Sequence, residues 1–235
     1  RFLTSFYAIQ EGRKTILTGS ERMKQRPIKP LVDALRELGA EINYLENEGF
    51  PPLEIHGKRI EKNFVKIPAN ISSQFITSLL LIGASLENGL EIELKGEITS
   101  RSYIKMTLKI LKDIGIESRF ERNSIKILSS ETSLYNKQLE KHFHTSKIKH
   151  YTVESDWSSA SYFYSLVAIG KKKMHLKSFY AHSLQGDSAL KEIYLKFFGV
   201  NTISDAGENK ITLLPDIHFQ YPEKFVLDMN DCPDI

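Results

Sequence analysis

Apolar residues recur along this chain in a helical rhythm three times. Leu31, Ala34, Leu35 and Leu38 fall at i, i+3, i+4 and i+7, just before Gly39. Ile104, Leu108 and Leu111, widened by Ile110 and Ile114, make a second stripe before Gly115. Leu190, Ile193, Tyr194 and Phe197 repeat the first spacing before Phe198 and Gly199. A single stripe predicts a helix with one buried face. The glycine that closes each helix suits the left-handed residue on which many helices end.

Behind each glycine come two short strand-like runs. They cover residues 41–44 with 53–55, 117–120 with 124–127, and 200–203 with 211–213, separated by charged or turn-forming residues, and so predict three hairpins. Ahead of each striped helix lies a more apolar helix, at 1–12, 72–83 and 158–170, followed by a strand at 15–18, 90–94 and 174–176. The repeating unit is helix, strand, helix, strand, strand. Two further strands, at 64–67 and 151–153, precede the second and third units and extend them to βαβαββ. No unit of this kind buries its faces alone. The expectation is a mixed α/β (α+β) fold whose repeats pack around shared helices, with helices inside, sheets outside, and the apolar helices deeper than the striped ones. The polar stretch 129–149 is the predicted boundary between a first lobe at 1–150 and a partial second lobe at 151–235.

Composition narrows the class. An apolar fraction of 41% supports a sizeable core, and no run approaches the roughly 18 apolar residues of a membrane span. The one cysteine, Cys232, excludes an internal disulfide and a multi-cysteine metal site, and fits a reducing cytoplasm. The chain opens on Arg1-Phe2-Leu3-Thr4 without an initiator Met or a signal pattern, and reads as a fragment of something longer. Charge is uneven: residues 1–150 hold 24 Lys and Arg against 18 Asp and Glu, residues 151–235 hold 8 against 11, and all nine arginines lie at or before Arg122. The first part is the better host for anions.

Several residues carry candidate chemistry. Arg26 stands before Pro27, with Arg22 and Lys24 nearby, at an expected helix start. Cations there oppose the helix dipole, and a bound anion would relieve the conflict. A solvated basic loop accounts for the same residues equally well. Ser72, Ser73 and Gln74 open the second apolar helix, where serine is first a cap. Ser158-Ser159-Ala160 open its counterpart in the third unit, so the serine pair belongs to the repeat and Gln74 is the difference. Ser100 is a cap candidate for the next helix, and Tyr103, one turn in, suits a core aromatic. Asp234, in a Cys-Pro-Asp turn, reads on composition alone as a solvated loop residue. Cys232 has no basic sequence neighbour and reads as a buried thiol.

Five segments in order carry a resemblance. They are Leu17-Thr18-Gly19-Ser20-Glu21-Arg22-Met23-Lys24-Gln25-Arg26-Pro27-Ile28; Ser72-Ser73-Gln74-Phe75; Thr99-Ser100-Arg101-Ser102-Tyr103-Ile104; Val153-Glu154-Ser155-Asp156-Trp157-Ser158-Ser159-Ala160-Ser161-Tyr162-Phe163; and Asp228-Met229-Asn230-Asp231-Cys232-Pro233-Asp234. Together they resemble the 5-enolpyruvylshikimate-3-phosphate synthase family of enolpyruvyl transferases. The resemblance implies two lobes of three repeats each, and transfer of the enolpyruvyl group of phosphoenolpyruvate to the 5-hydroxyl of shikimate 3-phosphate, without metal or organic cofactor. It places Arg26 on phosphoenolpyruvate and Ser72, Ser73 and Ser100 on the shikimate phosphate. Gln74 and Tyr103 then face substrate, and Asp234 contacts the shikimate hydroxyls and accepts the proton. It also implies that further lysines, arginines and a glutamate of the site lie outside this chain, so that the chain alone is inactive. The expected setting is a cytoplasmic monomer that binds neither nucleic acid nor membrane.

Two rivals remain. The sister transferase acting on UDP-N-acetylglucosamine shares the repeats but uses a first-lobe cysteine, and residues 1–150 contain none. A non-catalytic, clamp-like repeat protein would need a basic inner face. The striped helices instead mix charges, as in Arg36-Glu37 and Lys191-Glu192.

Overall fold

The computed structural model describes residues 1–99, 101–128, 152–230, 232, 234 and 235. The expected boundary stretch 129–149 lies outside the described residues. The chain divides into two compact units, one of Arg1–Thr99 with Thr107–Lys147 and one of Ser100–Met106 with Ile148–Ile235.

In the first unit the elements run α1 (Phe2–Ala8), β1 (Lys14–Leu17), a short α2 (Glu21–Lys24), α3 (Lys29–Leu38), β2 (Glu41–Tyr44), β3 (Leu53–His56), β4 (Phe64–Pro68), α4 (Ser73–Gly83) and β5 (Leu90–Lys95). Helix α5 (Arg101–Asp113), of which Thr107 onward belongs to this unit, β6 (Ser118–Glu121) and β7 (Ser124–Ile127) follow. Two sheets result. One has the antiparallel order β1-β3-β2; the other, β4-β5-β7-β6, repeats that order and adds β4 parallel to β5. A parallel neighbour needs a crossover, which α4 supplies. Strands alternate buried and exposed residues, as buried Val65 and Ile67 do with exposed Phe64, Lys66 and Pro68 along β4, so one face meets the helices and the other faces out.

The remaining elements are α6 (Trp157–Gly170), β8 (Met174–Lys177), a 3-10 turn (Gly186–Ala189), α7 (Leu190–Phe198), β9 (Val200–Asp205) and β10 (Lys210–Pro215). Their sheet, β8-β10-β9, has the same order for a third time. Trp157, Tyr164, Val167, Leu190, Val200, Ile211 and Leu213 form its core, with Trp157 edge-on to Phe179 at 5.0 Å between ring centroids. The glycines that close the striped helices, Gly39, Gly115 and Gly199, all have positive φ, where a Cβ would be strained.

Four expectations need correction. Pro27 precedes α3, and the proline in the first turn is Pro30. The strand expected at 151–153 does not form at Thr152 and Val153 (Tyr151 is outside the described residues). The chain there makes a backbone bond from Ser155 to Ser178, the counterpart of the Ala69 to Lys95 bond beside β4. Ser72 occupies the N-cap of α4, but its side chain does not cap. The apolar helices are also not uniformly the deepest. Striped α3 buries Leu31, Val32, Ala34, Leu35 and Leu38, and α4 is largely buried, yet α1 exposes Phe2, Leu3 and Phe6, and α6 exposes Tyr162, Leu166 and Ile169. A helix apolar all round needs partners on every side, and each of these has them within its unit on one side only.

Candidate functional site

In the first unit the candidate residues converge on the start of α4 and the turn before α3. Arg1 precedes α1, which packs on α4 through buried Ser5 and Ser78, whose hydroxyls lie 2.6 Å apart. Ser78 also donates to the Arg1 carbonyl oxygen at 3.2 Å. Arg1 is thereby fixed facing the opening of α4. Its Nη1 donates to Ser72 Oγ at 3.0 Å and to Gln74 Oε1 at 2.6 Å, and its guanidinium lies 4.9 Å from the centre of the Phe75 ring. Ser73 is half-buried at the first helical position.

Arg26 follows α2, in a turn closed by the bond from its own N–H to the Met23 carbonyl. Arg1 and Arg26 line one pocket of about 320 Å³, with Leu17, Thr18, Pro27 and Leu53 among its walls and no carboxylate among its lining residues. Burial, and then the nearby charge of Arg26, push the Arg1 guanidinium pKa down. Two guanidinium groups facing one acid-free pocket make a site for an anion, since each offers donors in a fixed fork. Lys24 is already engaged, by Glu21 at 3.4 Å and Glu46 at 3.3 Å.

The repeat supplies a comparison. At the start of α6, Asp156 accepts from the backbone N–H groups of Ser158 and Ser159, at 3.1 and 3.2 Å, and from the Ser159 hydroxyl at 2.6 Å. These bonds, led by the Ser159 hydroxyl, hold its carboxyl below the usual range. At the equivalent start of α4 the residue in that place is Asn70, the first turn holds no acid, and Arg1 stands over the serines. One helix start carries its own anion; the other presents cation, hydroxyls and amide together.

Within the second unit, Tyr103 on the first turn of α5 donates to Asp234 Oδ2 at 2.6 Å. Burial, then the Asp234 carboxylate and the charge of Asp187, hold the Tyr103 phenol well above its ordinary pKa. Asp187 is 2% exposed; Ser158 Oγ donates to its Oδ2, while its Oδ1 has no partner. Burial, reinforced by the charges of Asp234 and Asp156, raises its pKa. Glu154 ties this region together. It accepts from Trp157 Nε1 at 2.8 Å, Tyr180 N at 3.0 Å, Ser183 Oγ at 2.8 Å and Gln185 Nε2 at 3.1 Å.

Of the residues picked out from sequence, Arg26, Ser72, Ser73 and Gln74 lie in the first unit, and Tyr103 and Asp234 are bonded to each other in the second. Ser100 lies outside the described residues. Cys232 is buried. Sequence reasoning passed over Glu154 and Asp187, and noticed Arg1 as a charge without placing it among the site residues. Only Arg1 left a signal, as a cation directly ahead of an apolar helix. Among the described residues no group of three or more His, Cys, Asp or Glu is arranged to hold a metal ion, and no helix is long and apolar enough to cross a membrane.

Residues 1–234 match the family model described as EPSP synthase (3-phosphoshikimate 1-carboxyvinyltransferase). A 3-phosphoshikimate 1-carboxyvinyltransferase of Bacteroides fragilis is 45% identical over 209 residues, which is 88% of this chain and 47% of that protein. One of Haemophilus influenzae is 41% identical over 225 residues, 93% of this chain and 46% of that protein. The chain thus spans about half the length of the curated relatives it matches. Among solved structures, EPSP synthase of Acinetobacter baumannii superposes with a TM-score of 0.59 at 20% identity, over 91% of this chain and 45% of that one. The enolpyruvyl transferase NikO of Streptomyces tendae gives 0.55 at 14% identity, over 92% and 45%. These two likenesses concern the fold.

Proposed function

Because the chain belongs to the EPSP synthase (3-phosphoshikimate 1-carboxyvinyltransferase) family, we propose that the protein containing it transfers the enolpyruvyl group of phosphoenolpyruvate to the 5-hydroxyl of shikimate 3-phosphate and releases phosphate, in the cytoplasm and as a monomer. The observation that carries this reading is the acid-free pocket shared by Arg1 and Arg26. Both substrates are phosphorylated carboxylates, and a transfer between them needs anion clamps before it needs anything else.

In this reading Arg26, assisted by Arg1, holds phosphoenolpyruvate. Ser72 and Ser73, with Ser100, bind the phosphate of shikimate 3-phosphate through hydroxyls and helix-start N–H groups. Gln74 contacts the same substrate. Asp234 takes the proton of the 5-hydroxyl as its oxygen attacks C2 of phosphoenolpyruvate. Protonation of the methylene carbon completes a tetrahedral adduct. Loss of that proton and cleavage of the bond from C2 to the phosphate oxygen then restore the enol ether and release phosphate.

Calorimetric titration of the chain with phosphoenolpyruvate tests the clamp. Arg26→Ala is expected to weaken binding by about 10- to 100-fold, the loss of a charged hydrogen-bonding partner worth roughly 1.5–3 kcal/mol. Equal affinity in the variant would contradict the assignment.

A further inference from the structure

Asp234 lies in the segment after β10, where no helix or strand forms among the described residues. It is exposed, so packing does little to fix its carboxylate. Proton transfer, by contrast, is sensitive to small errors in the direction of the accepting oxygen.

The orientation comes from elsewhere. Tyr103 is one turn into α5, a helix of 13 residues, and its ring is half-buried. The phenol donates to Asp234 Oδ2 at 2.6 Å, across 131 residues of sequence. A bond of that length to a carboxylate belongs to the strong, charge-assisted class. It engages one oxygen of the carboxylate and so determines where Oδ1 points. A phenol has a single proton to give. Given to Asp234, that proton is not available to a substrate oxygen. The phenol also keeps it at neutral pH, because burial and then the carboxylate itself oppose its loss.

We propose that Tyr103 is a positioning residue for Asp234, locking the carboxylate through Oδ2 so that Oδ1 receives the substrate proton, rather than a residue that binds substrate itself. The assignment rests on the reading of Asp234 as proton acceptor and adds to it the element that makes an irregular segment precise enough for catalysis.

The test has two arms. In the chain as it stands, proton NMR should show the Tyr103 hydroxyl as a downfield, slowly exchanging resonance that is lost in both Tyr103→Phe and Asp234→Ala. An enzyme of full family length carrying this segment is then assayed with phosphoenolpyruvate and shikimate 3-phosphate. There Tyr103→Phe should lower kcat by roughly 10- to 100-fold and leave KM for shikimate 3-phosphate within about twofold. A missing resonance overturns the proposal. So does a raised KM with kcat preserved, the pattern of a residue that binds substrate equally in ground and transition states. A wild-type enzyme without turnover fails differently: it overturns the functional reading itself, and the role of Tyr103 with it, whatever the resonance shows.

Discussion

Arg1 and Asp187 are the residues whose roles depend most on contacts that a linear pattern does not carry. Arg1 reaches Ser72 and Gln74 across more than 70 positions. Nothing in local spacing announces that pairing, whereas Arg26 beside Pro27 and the serine pair could be picked out as candidates from local motifs, even though Pro27 does not open α3. If the serines bind the shikimate phosphate, Ser72→Ala with Ser73→Ala should abolish the binding of shikimate 3-phosphate to the chain in calorimetry; unchanged affinity would remove both from the site. Asp187 gives a prediction from its burial. Its folded pKa lies above the unfolded one, with burial the main cause. Its contribution to stability is therefore complete below the unfolded value, about 3.9, and is lost as pH rises through the folded value. Asp187→Asn should thus be more stable than wild type at pH 7–8, by roughly 1–3 kcal/mol for a buried oxygen without a partner, with the difference gone near pH 3–4. Urea unfolding of both proteins across pH measures this. A variant less stable at pH 8 would show that Asp187 is satisfied after all.

At the scale of elements, the repeat was readable because amphipathic stripes and hairpins are local in sequence. Leu35 is buried in α3, and the runs 41–44 and 53–55 pair as β2 and β3, where the pattern put them. The depth of each helix was not readable. Mean apolarity says that a helix has much to bury, not that its unit supplies enough partners, and α6 shows the gap: Tyr164 and Val167 are 0% and 1% exposed, while Leu166 and Ile169 are 58% and 82% exposed. Leu166→Ser with Ile169→Ser should change the unfolding free energy of the chain by no more than about 0.5 kcal/mol. Val167→Ala should cost roughly 1–3 kcal/mol, through lost burial and the cavity left behind. Similar costs for the two would mean that the outer face of α6 is covered in solution. The strand expected at residue 153 failed for a related reason. Val153 is 76% exposed, and the segment meets the end of β8 through Ser155, whose N–H donates to the Ser178 carbonyl and whose hydroxyl donates to the Lys177 carbonyl.

At the scale of the molecule, three sheets with the same strand order and the match of residues 1–234 to one family make the fold and its membership agree. The clamp alternative predicted a basic inner surface; the cations of the candidate site instead gather at one pocket, where two arginines face no acid. The central claim is that this segment serves an enolpyruvyl transfer to shikimate 3-phosphate. Its most direct test is the release of phosphate from phosphoenolpyruvate by an enzyme of full family length carrying this segment, assayed with shikimate 3-phosphate and, separately, with UDP-N-acetylglucosamine. Release should depend on shikimate 3-phosphate and fall by roughly 100-fold or more in Arg26→Ala. Release with UDP-N-acetylglucosamine alone, or none with either acceptor, would contradict the claim.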